Sequence, residues 1–336
     1  MGGEDVFAKD GPKHMVGIEI DWGNDEHRRC ITASLVNGTY VMESDRTSKK
    51  EGTSTALAPA WWETFHFRPQ CDYKLEFPCR CVLCPRLFII YGAIFEYAPP
   101  PGAKVANRRL APSYIVAFRG TMLAGDPTCP SDVVNDISIV LNKQHSCPRF
   151  CHARETVEKL VDESGGSSVW LAGHSLGAAI ALDVGRHMVI NLGFNLQTFL
   201  FNPPLPSLDP VIGEEARRVV NIFGDIGRCI LAEIFPHRQD QMEELFQRLA
   251  PWVPNLYVNP KDAFCKRFIA YFERREHRHP LSRAIAREAT VMSYRDVIFN
   301  RKSERPHLLP CAKLWKNQSR LKNGGHGLKR GHGLSQ

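Results

Sequence analysis

Residues 173–177, with the sequence Gly-His-Ser-Leu-Gly, place the hydroxyl of Ser175 between two glycines. A mostly apolar run, 167–172, precedes this segment, and an alanine-rich run, 178–190, follows it. The first run is typical of a buried strand and the second of a helix. Glycine on either side lets the backbone turn sharply where strand meets helix. The pattern therefore predicts a nucleophile elbow, in which Ser175 attacks the carbonyl carbon of an acyl group.

The negative charge that forms on an attacked carbonyl oxygen needs hydrogen-bond donors close to Ser175. The first amides of a helix have no partner within the helix, so the sequence predicts the N–H of Leu176 as one donor. A second donor must come from another strand end. Thr121 follows the apolar run 114–118 by three residues and offers both an N–H and a hydroxyl. The sequence therefore predicts Thr121 as the second donor of an oxyanion hole.

Short apolar runs alternate with segments of helical periodicity along much of the chain. Strands are predicted at 87–97, 114–118, 167–172, 197–201 and 255–258, and helices at 132–142, 153–164 and 178–190. Continuous apolar strands separated by helices indicate a mostly parallel sheet that is covered by helices on both faces. Near the N-terminus, Ser34–Met42 is predicted as a short strand within an otherwise polar segment.

Two of these segments resemble those of class 3 lipases, which are α/β-hydrolases. Residues 118–121 are similar to the family's Phe-Arg-Gly-Thr/Ser segment, and residues 173–177 are similar to its Gly-His-Ser-Leu-Gly segment. Residues 92–97, 201–204 and 252–260 further resemble a plant subgroup labelled GDSL esterase/lipase, although no Gly-Asp-Ser-Leu motif is present. The resemblance spans about residues 87 to 315. It implies an α/β-hydrolase fold and cleavage of carboxylic esters, with lipid acyl esters as substrates.

The order of catalytic residues in α/β-hydrolases places the acid, and then the histidine, after the nucleophile. Asp262 and Asp225 both follow strand-like runs beyond Ser175. Asp262 is the predicted acid because residues 259–262, Asn-Pro-Lys-Asp, resemble a segment of the plant subgroup. Asp225 is the alternative, since the residues before it resemble the Val-Val-Asn-x-x-Asp segment of other lipases.

Three histidines follow both candidate acids: His307, His326 and His332. The subgroup's late His-Gly-Ile/Leu segment resembles the residues at 326–328 and at 332–334, and the spacing favours His332 as the base. His326 stays an alternative, and His307 is as well explained by a structural role. His174, inside the elbow, is expected to pack beside the nucleophile and not to act as the base.

Relatives in the subgroup continue past the His-Gly segment, whereas this sequence ends at Gln336. A base so close to a chain end is expected to be weakly anchored, so the sequence leaves the activity of the protein undecided. The alternative to an ester hydrolase is a catalytically weak lipase-like scaffold that binds a lipid or a protein. Residues 122–142 lie where class 3 lipases carry a lid, and a core helix explains the same residues.

The expected organisation is a polar N-terminal segment at 1–60, an α/β-hydrolase domain at 61–315 with a helical excursion at 211–250, and a basic tail at 316–336. Residues 301–336 hold nine Lys or Arg against one acid, Glu304. A basic tail can contact anionic lipid at a membrane surface, but a solvated end is the expected state. No motif for nucleic-acid binding accompanies the basic residues, so a lipid or small ester is the expected partner.

No cofactor or metal is expected. The chain has eleven cysteines, of which Cys79, Cys81 and Cys84 form a tight cluster without the paired spacing of a zinc site. The first thirty residues lack the pattern of a secretory signal, and no apolar run approaches the length that spans a bilayer. A cytoplasmic protein with free thiols is therefore expected.

Overall fold

The computed structural model describes residues 6–78, 88–120, 147–165, 168–204, 244–262, 268, 269, 272 and 309–316. The main α-helices in these ranges are α1 (Val6–Asp10), α2 (Asp25–Thr47), α3 (Ala60–Glu63), α4 (Pro148–Ser164) and α5 (Leu176–His187). Nine strands lie there too: β1 (Ile20–Asp21), β2 (Phe67–Pro78), β3 (Phe88–Tyr97), β4 (Val105–Ala106), β5 (Tyr114–Phe118), β6 (Val169–His174), β7 (Gln197–Phe201), β8 (Asn255–Val258) and β9 (Lys313–Lys316).

Seven of the strands form one sheet in the order β2-β3-β5-β6-β7-β8-β9. β3 runs antiparallel to both of its neighbours, and every pairing from β5 to β9 is parallel. The remaining two strands, β1 and β4, form a small parallel pair apart from this sheet. The predicted mostly parallel sheet is therefore confirmed, with an antiparallel extension at one edge.

Strand β5 illustrates how the sheet is buried on both faces. Val116 and Phe118 pack into one apolar core, and Ile115 and Ala117 pack into the other. All four side chains are completely buried. A continuous apolar run is the pattern that such a strand needs, because alternate side chains point to opposite faces and both faces are dry.

Helices α4 and α5 cover the first of these faces. Their apolar residues, among them Phe150, Val157 and Ile180, share one core with the strands. Helix α4 begins at Pro148, five residues before the predicted start, since proline at the first helical position needs no hydrogen-bond partner for its nitrogen. Helix α5 is followed by a π-helical turn, Met188–Leu192.

The prediction of a strand at Ser34–Met42 is wrong, because these residues lie within the long helix α2. Asn24 caps the helix by accepting a hydrogen bond from the N–H of Glu26 (2.9 Å). The apolar side of α2 covers the second face of the sheet. Polar residues on that buried side disguise the helical period: Ser34 donates to the carbonyl of Trp61, and Thr39 donates to that of Val36. Hydrogen bonds to backbone carbonyls, such as these two, satisfy buried hydroxyls.

Other differences are smaller. The strand predicted at 87–97 is observed as β3, and the strands predicted at 114–118, 197–201 and 255–258 are confirmed as β5, β7 and β8. β2 and β9, which were not predicted, lie at the two edges of the sheet. The helix predicted at 132–142, the cysteines at 79, 81 and 84, and residues 317–336 lie outside the described residues. Of the excursion at 211–250, the described part is helical at 244–249.

No helix in the described ranges combines the length and the apolar character that crossing a bilayer requires.

Candidate active site

Ser175 lies at the sharp turn between β6 and α5. Its backbone angles, φ 52° and ψ −123°, are unfavourable for a residue with a side chain. The N–H of Ser175 donates to the carbonyl of Phe201 (2.9 Å), and its carbonyl accepts from Ala178 (2.9 Å). Such a conformation persists only where its surroundings hold it, and conformations of this kind cluster at functional sites. The backbone at Ser175 therefore has the geometry that a nucleophile elbow requires.

The two glycines of the elbow allow backbone segments to touch. A Cβ atom on Gly177 would lie 2.3 Å from the carbonyl oxygen of Phe118, and one on Gly173 would lie 2.3 Å from the carbonyl oxygen of Gly177. Both distances are far below a van der Waals contact. The first turn of α5 can therefore pack directly on the end of β5 only because neither position carries a side chain.

The residue that follows this end of β5 by two positions, Gly120, lies directly against the nucleophile. A Cβ atom on Gly120 would be 2.9 Å from the Cβ of Ser175 and 3.0 Å from the carbonyl oxygen of His174. Arg119 fixes the position: its Nη1 donates to the carbonyl of Gly120 (2.8 Å), and its Nε donates to the carbonyl of Ile90. Gly120 is the last described residue before a gap, and Thr121 lies outside the described residues.

Glu43, on α2, lies next to the guanidinium of Arg119. Its Oε1 lies 3.9 Å from Nη2 of Arg119, and its Oε2 accepts a hydrogen bond from the N–H of Ile90 (3.2 Å). Glu43 and Arg119 are each only 5% exposed. Arg46, one helical turn further along α2, also pairs with Glu43 (2.7 Å). A buried charge needs such partners, and the arrangement ties α2 to the end of β5.

Tyr40, on α2, completes this side of the site and was not predicted from the sequence. Its hydroxyl accepts a hydrogen bond from the N–H of Gly120 (2.7 Å) and lies 2.9 Å from Nδ1 of His174. The guanidinium of Arg119 lies 5.9 Å from the centre of its ring. A helical period across 25–47 would have placed Tyr40 and Glu43 on one face, three residues apart. We call Tyr40, Glu43, Arg119 and Gly120 the Gly120 flank.

His174, the residue before the nucleophile, is partly buried and in contact with Tyr40. Burial lowers the pKa of its imidazole to about 4, so the ring is neutral near pH 7. The hydroxyl of Tyr40 lies at its Nδ1 (2.9 Å). Both observations agree with the expectation that His174 packs beside Ser175.

Leu176 is the first residue of α5. The N–H at this position has no acceptor within the helix, and it lies at the positive end of the helix dipole. The predicted oxyanion donor Leu176 is thus available next to Ser175. The other predicted donor, Thr121, is one residue beyond Gly120, which contacts Ser175.

Asp262 lies in a turn just after β8. Its N–H donates to the carbonyl of Asn259 (2.9 Å), and the N–H of Asn259 donates to the side-chain oxygen of Asn202 (3.1 Å). Asn202 directly follows β7, and its neighbour Phe201 accepts the N–H of Ser175. The carboxyl ends of parallel strands meet at one edge of a sheet, so Asp262 lies on the same edge as Ser175. We call Asn202, Asn259 and Asp262 the Asp262 flank.

The other predicted residues, Asp225, His307, His326 and His332, lie outside the described residues. Of the predicted site, the structure therefore brings Ser175, Leu176 and the backbone leading to Thr121 together. It places Asp262 on the same edge, and the choice of histidine stays a prediction.

One cluster among the described residues has the composition of a metal site. His14, Glu26 and Cys30 bring three ligand atoms within 4.8 Å of one another. Arg29 lies in the same cluster, donating from Nε to Oε2 of Glu26 (2.8 Å) and from Nη2 to Sγ of Cys30 (3.4 Å). Burial opposes ionisation of Glu26, but the bonds from Arg29 hold its pKa below the usual value. Because the guanidinium already supplies the positive charge, we assign the cluster to the packing of α2.

A serine on a strained strand-to-helix turn, at the carboxyl edge of a mostly parallel sheet covered by helices, defines the α/β-hydrolase class of proteins. Residues 149–202 match the family model described as lipase (class 3), and this stretch includes the elbow. The chain is also 34% identical, over 352 aligned positions, to a GDSL esterase/lipase of Arabidopsis thaliana. That match covers 99% of this chain and 94% of the relative. The chain belongs to the class 3 lipase family.

Proposed function

We propose that the protein is a serine hydrolase that cleaves carboxylic esters, with lipid acyl esters as substrates, through an acyl-enzyme on Ser175. The observation that carries this proposal is the strained turn at Ser175, which presents a hydroxyl beside the first amide of a helix. The name of the Arabidopsis relative, GDSL esterase/lipase, and its near full-length match support the same reaction class.

In the first half of the proposed reaction, the Oγ of Ser175 attacks the carbonyl carbon while a histidine accepts the hydroxyl proton. We assign that histidine as His332, oriented by Asp262. The oxyanion accepts hydrogen bonds from the N–H groups of Leu176 and Thr121. The ester C–O bond then breaks, and the alcohol leaves with the proton from the imidazolium.

In the second half, the same imidazole removes a proton from water, which attacks the acyl carbon. The bond between the acyl group and Ser175 breaks, the carboxylic acid leaves, and the serine hydroxyl regains its proton. His174 is not assigned as the base, since burial lowers the pKa of its imidazole to about 4, which makes the ring a weak proton acceptor, and its Nδ1 contacts Tyr40.

The test compares hydrolysis of p-nitrophenyl butyrate and p-nitrophenyl palmitate by the wild type, Ser175→Ala and Ser168→Ala. Ser168 precedes the same strand at its opposite end, where its hydroxyl donates to the carbonyls of Ser164 (3.0 Å) and Gly165 (2.7 Å). We expect Ser175→Ala to lose at least about 10³-fold in kcat, because removing a nucleophile leaves only residual catalysis. Ser168→Ala should stay within about twofold of the wild type.

A fluorophosphonate probe gives an independent measurement, since it reacts covalently with an activated serine. We expect one labelled residue, Ser175, and no labelling of Ser175→Ala. Equal hydrolysis by the wild type and Ser175→Ala, together with no labelling, would overturn the proposal. A lipase-like scaffold without catalysis would then be the better description, and binding of the wild type to phosphatidylcholine vesicles would measure it.

A further inference from the structure

One hydroxyl group joins the two backbone segments that meet at the nucleophile. The Tyr40 oxygen lies 2.7 Å from the N of Gly120 and 2.9 Å from Nδ1 of His174. Gly120 touches the Cβ of Ser175, and His174 is the residue before it. Tyr40 itself comes from α2, which is more than a hundred residues away from the elbow in sequence.

The direction of these hydrogen bonds follows from the number of protons. The hydroxyl accepts the N–H of Gly120 and has a single proton of its own to donate. Burial raises the pKa of Tyr40 to about 12 and lowers that of His174 to about 4, so both groups are neutral near pH 7. We therefore assign the Tyr40 hydroxyl as the donor to Nδ1, which leaves the ring proton of His174 on Nε2.

Both backbone polar groups of Gly120 therefore have a hydrogen-bond partner. Its N–H donates to Tyr40, so this amide does not serve as an oxyanion donor. Its carbonyl accepts from Nη1 of Arg119 (2.8 Å). The next residue in the chain, Thr121, is the donor that the sequence predicts.

We propose that Tyr40 is a positioning residue of the hydrolytic site, whose hydroxyl holds the Gly120 backbone against Ser175 so that the oxyanion donors are in place before the reaction. This inference rests on the proposed function and extends it to a residue that touches neither the substrate nor the reacting atoms. Donors that are fixed in advance stabilise a transition state without reorganising, whereas a displaced donor loses much of that effect.

The substitution Tyr40→Phe removes the hydroxyl and keeps the ring, with its contacts to His174 and Arg119. We expect kcat to fall by about 10- to 100-fold, less than the loss of a complete oxyanion donor. The KM should stay within about twofold, because ground-state binding of the ester does not use this hydroxyl. Affinity for a phenylboronic acid, which forms a tetrahedral adduct on serine, should fall by the same factor as kcat/KM.

Tyr91→Phe is the matched control. The hydroxyl of Tyr91 also lies at the Nδ1 of a histidine, His152 (2.8 Å), and its ring packs in the core on the opposite face of the sheet. Both variants remove one buried hydroxyl, so both should lose a similar free energy of unfolding, about 1 to 2 kcal/mol. Only Tyr40→Phe should lose activity per folded molecule.

Unchanged kcat and boronic-acid affinity in Tyr40→Phe would overturn the inference, as would an equal loss of activity in Tyr91→Phe. Rates are divided by the folded fraction from circular dichroism, so a stability defect alone cannot imitate the effect. If the proposed function is wrong, the outcome differs, since Ser175→Ala would then hydrolyse the ester at the same rate as the wild type. In that case both the proposed function and the inference about Tyr40 are wrong. If instead Ser175→Ala is inactive and Tyr40→Phe has the activity of the wild type, only the inference about Tyr40 is wrong.

Discussion

The two flanks of Ser175 are built in different ways. On the Gly120 flank, side chains of α2 and of Arg119, the residue that follows β5, fix the backbone, and Glu43 and Arg119 are almost fully buried. On the Asp262 flank, hydrogen bonds of turns and of asparagine side chains hold the chain, and Asp262 is half-buried. The first flank is held by a helix that is distant in sequence, and the second by residues that follow β7 and β8.

This difference separates two kinds of contribution to catalysis. In the proposed reaction, the Gly120 flank contributes geometry, because it positions backbone atoms beside Ser175. The Asp262 flank contributes the carboxylate that we propose to orient the histidine. We therefore expect conservative changes of chemistry to be severe at Asp262, and small changes of shape to be severe at Gly120.

The largest expected effect on activity belongs to His332, the proposed base. His332→Gln should lower kcat for p-nitrophenyl butyrate by about 10⁵-fold, because the base is then lost. His326→Gln and His307→Gln should stay within about threefold. The rate of fluorophosphonate labelling of Ser175 should follow the same order. If His326→Gln loses activity and His332→Gln stays active, the base is His326 and the assignment to His332 is wrong.

Asp262→Asn should lower kcat by about 10⁴-fold, since the amide no longer stabilises or orients a positively charged imidazole. The free energy of unfolding should change by less than about 1 kcal/mol, because the side chain is half-buried. Asp225→Asn is the matched variant and should remain active. Steady-state rates and urea unfolding of both proteins measure the two effects. An active Asp262→Asn together with an inactive Asp225→Asn would assign the acid to Asp225.

Gly120→Ala should lower kcat by about 10²-fold and the free energy of unfolding by about 2 kcal/mol. The new Cβ would lie 2.7 Å from the hydroxyl of Tyr40 and 2.9 Å from the Cβ of Ser175. Gly102→Ala is the control: its φ is 82° and its Cβ would meet open space, so stability falls through backbone strain alone. A fully active Gly120→Ala would show that the flank does not act through geometry.

A pH dependence of stability is expected from His174, which contacts Tyr40 of the Gly120 flank. The pKa of His174 is about 4 in the folded protein and about 6.5 when unfolded, so the unfolded chain binds an extra proton between these values. The stabilisation is complete above about pH 6.5 and is lost as the pH falls toward 4, by about 2 to 3 kcal/mol. His174→Asn, which can still accept the Tyr40 hydroxyl, should lose less stability over the same range in urea unfolding. Equal losses in both proteins would contradict the shifted pKa.

Local sequence was sufficient to predict the elbow and most of the central strands. The glycines around Ser175 and the apolar runs of β5, β7 and β8 are signals that neighbouring residues carry on their own. Asp262 was chosen in part for the same reason, since it follows a strand-like run, and its role as the acid stays a prediction.

Helix α2 and Tyr40 could not be predicted in this way. The buried side of α2 contains Thr32, Ser34 and Glu43, which a pattern of apolar residues does not count as core. Thr32 donates to the carbonyl of Arg29 in the same helix. The partners of Ser34 and Glu43 are backbone groups of other segments, so the reason for their burial is visible only in the folded chain. Edge strands β2 and β9 were missed because they are held by one neighbour and carry weaker apolar patterns.

The cover that α2 gives to the second face of the sheet bears on how the protein can be produced. A shortened chain beginning at residue 61 would retain the elbow and most of the strands. It would also leave Ile115, Trp170 and Phe199 facing water along one whole side of the sheet. Apolar areas of that size favour aggregation, so expression of a minimal catalytic fragment should start upstream of Asn24.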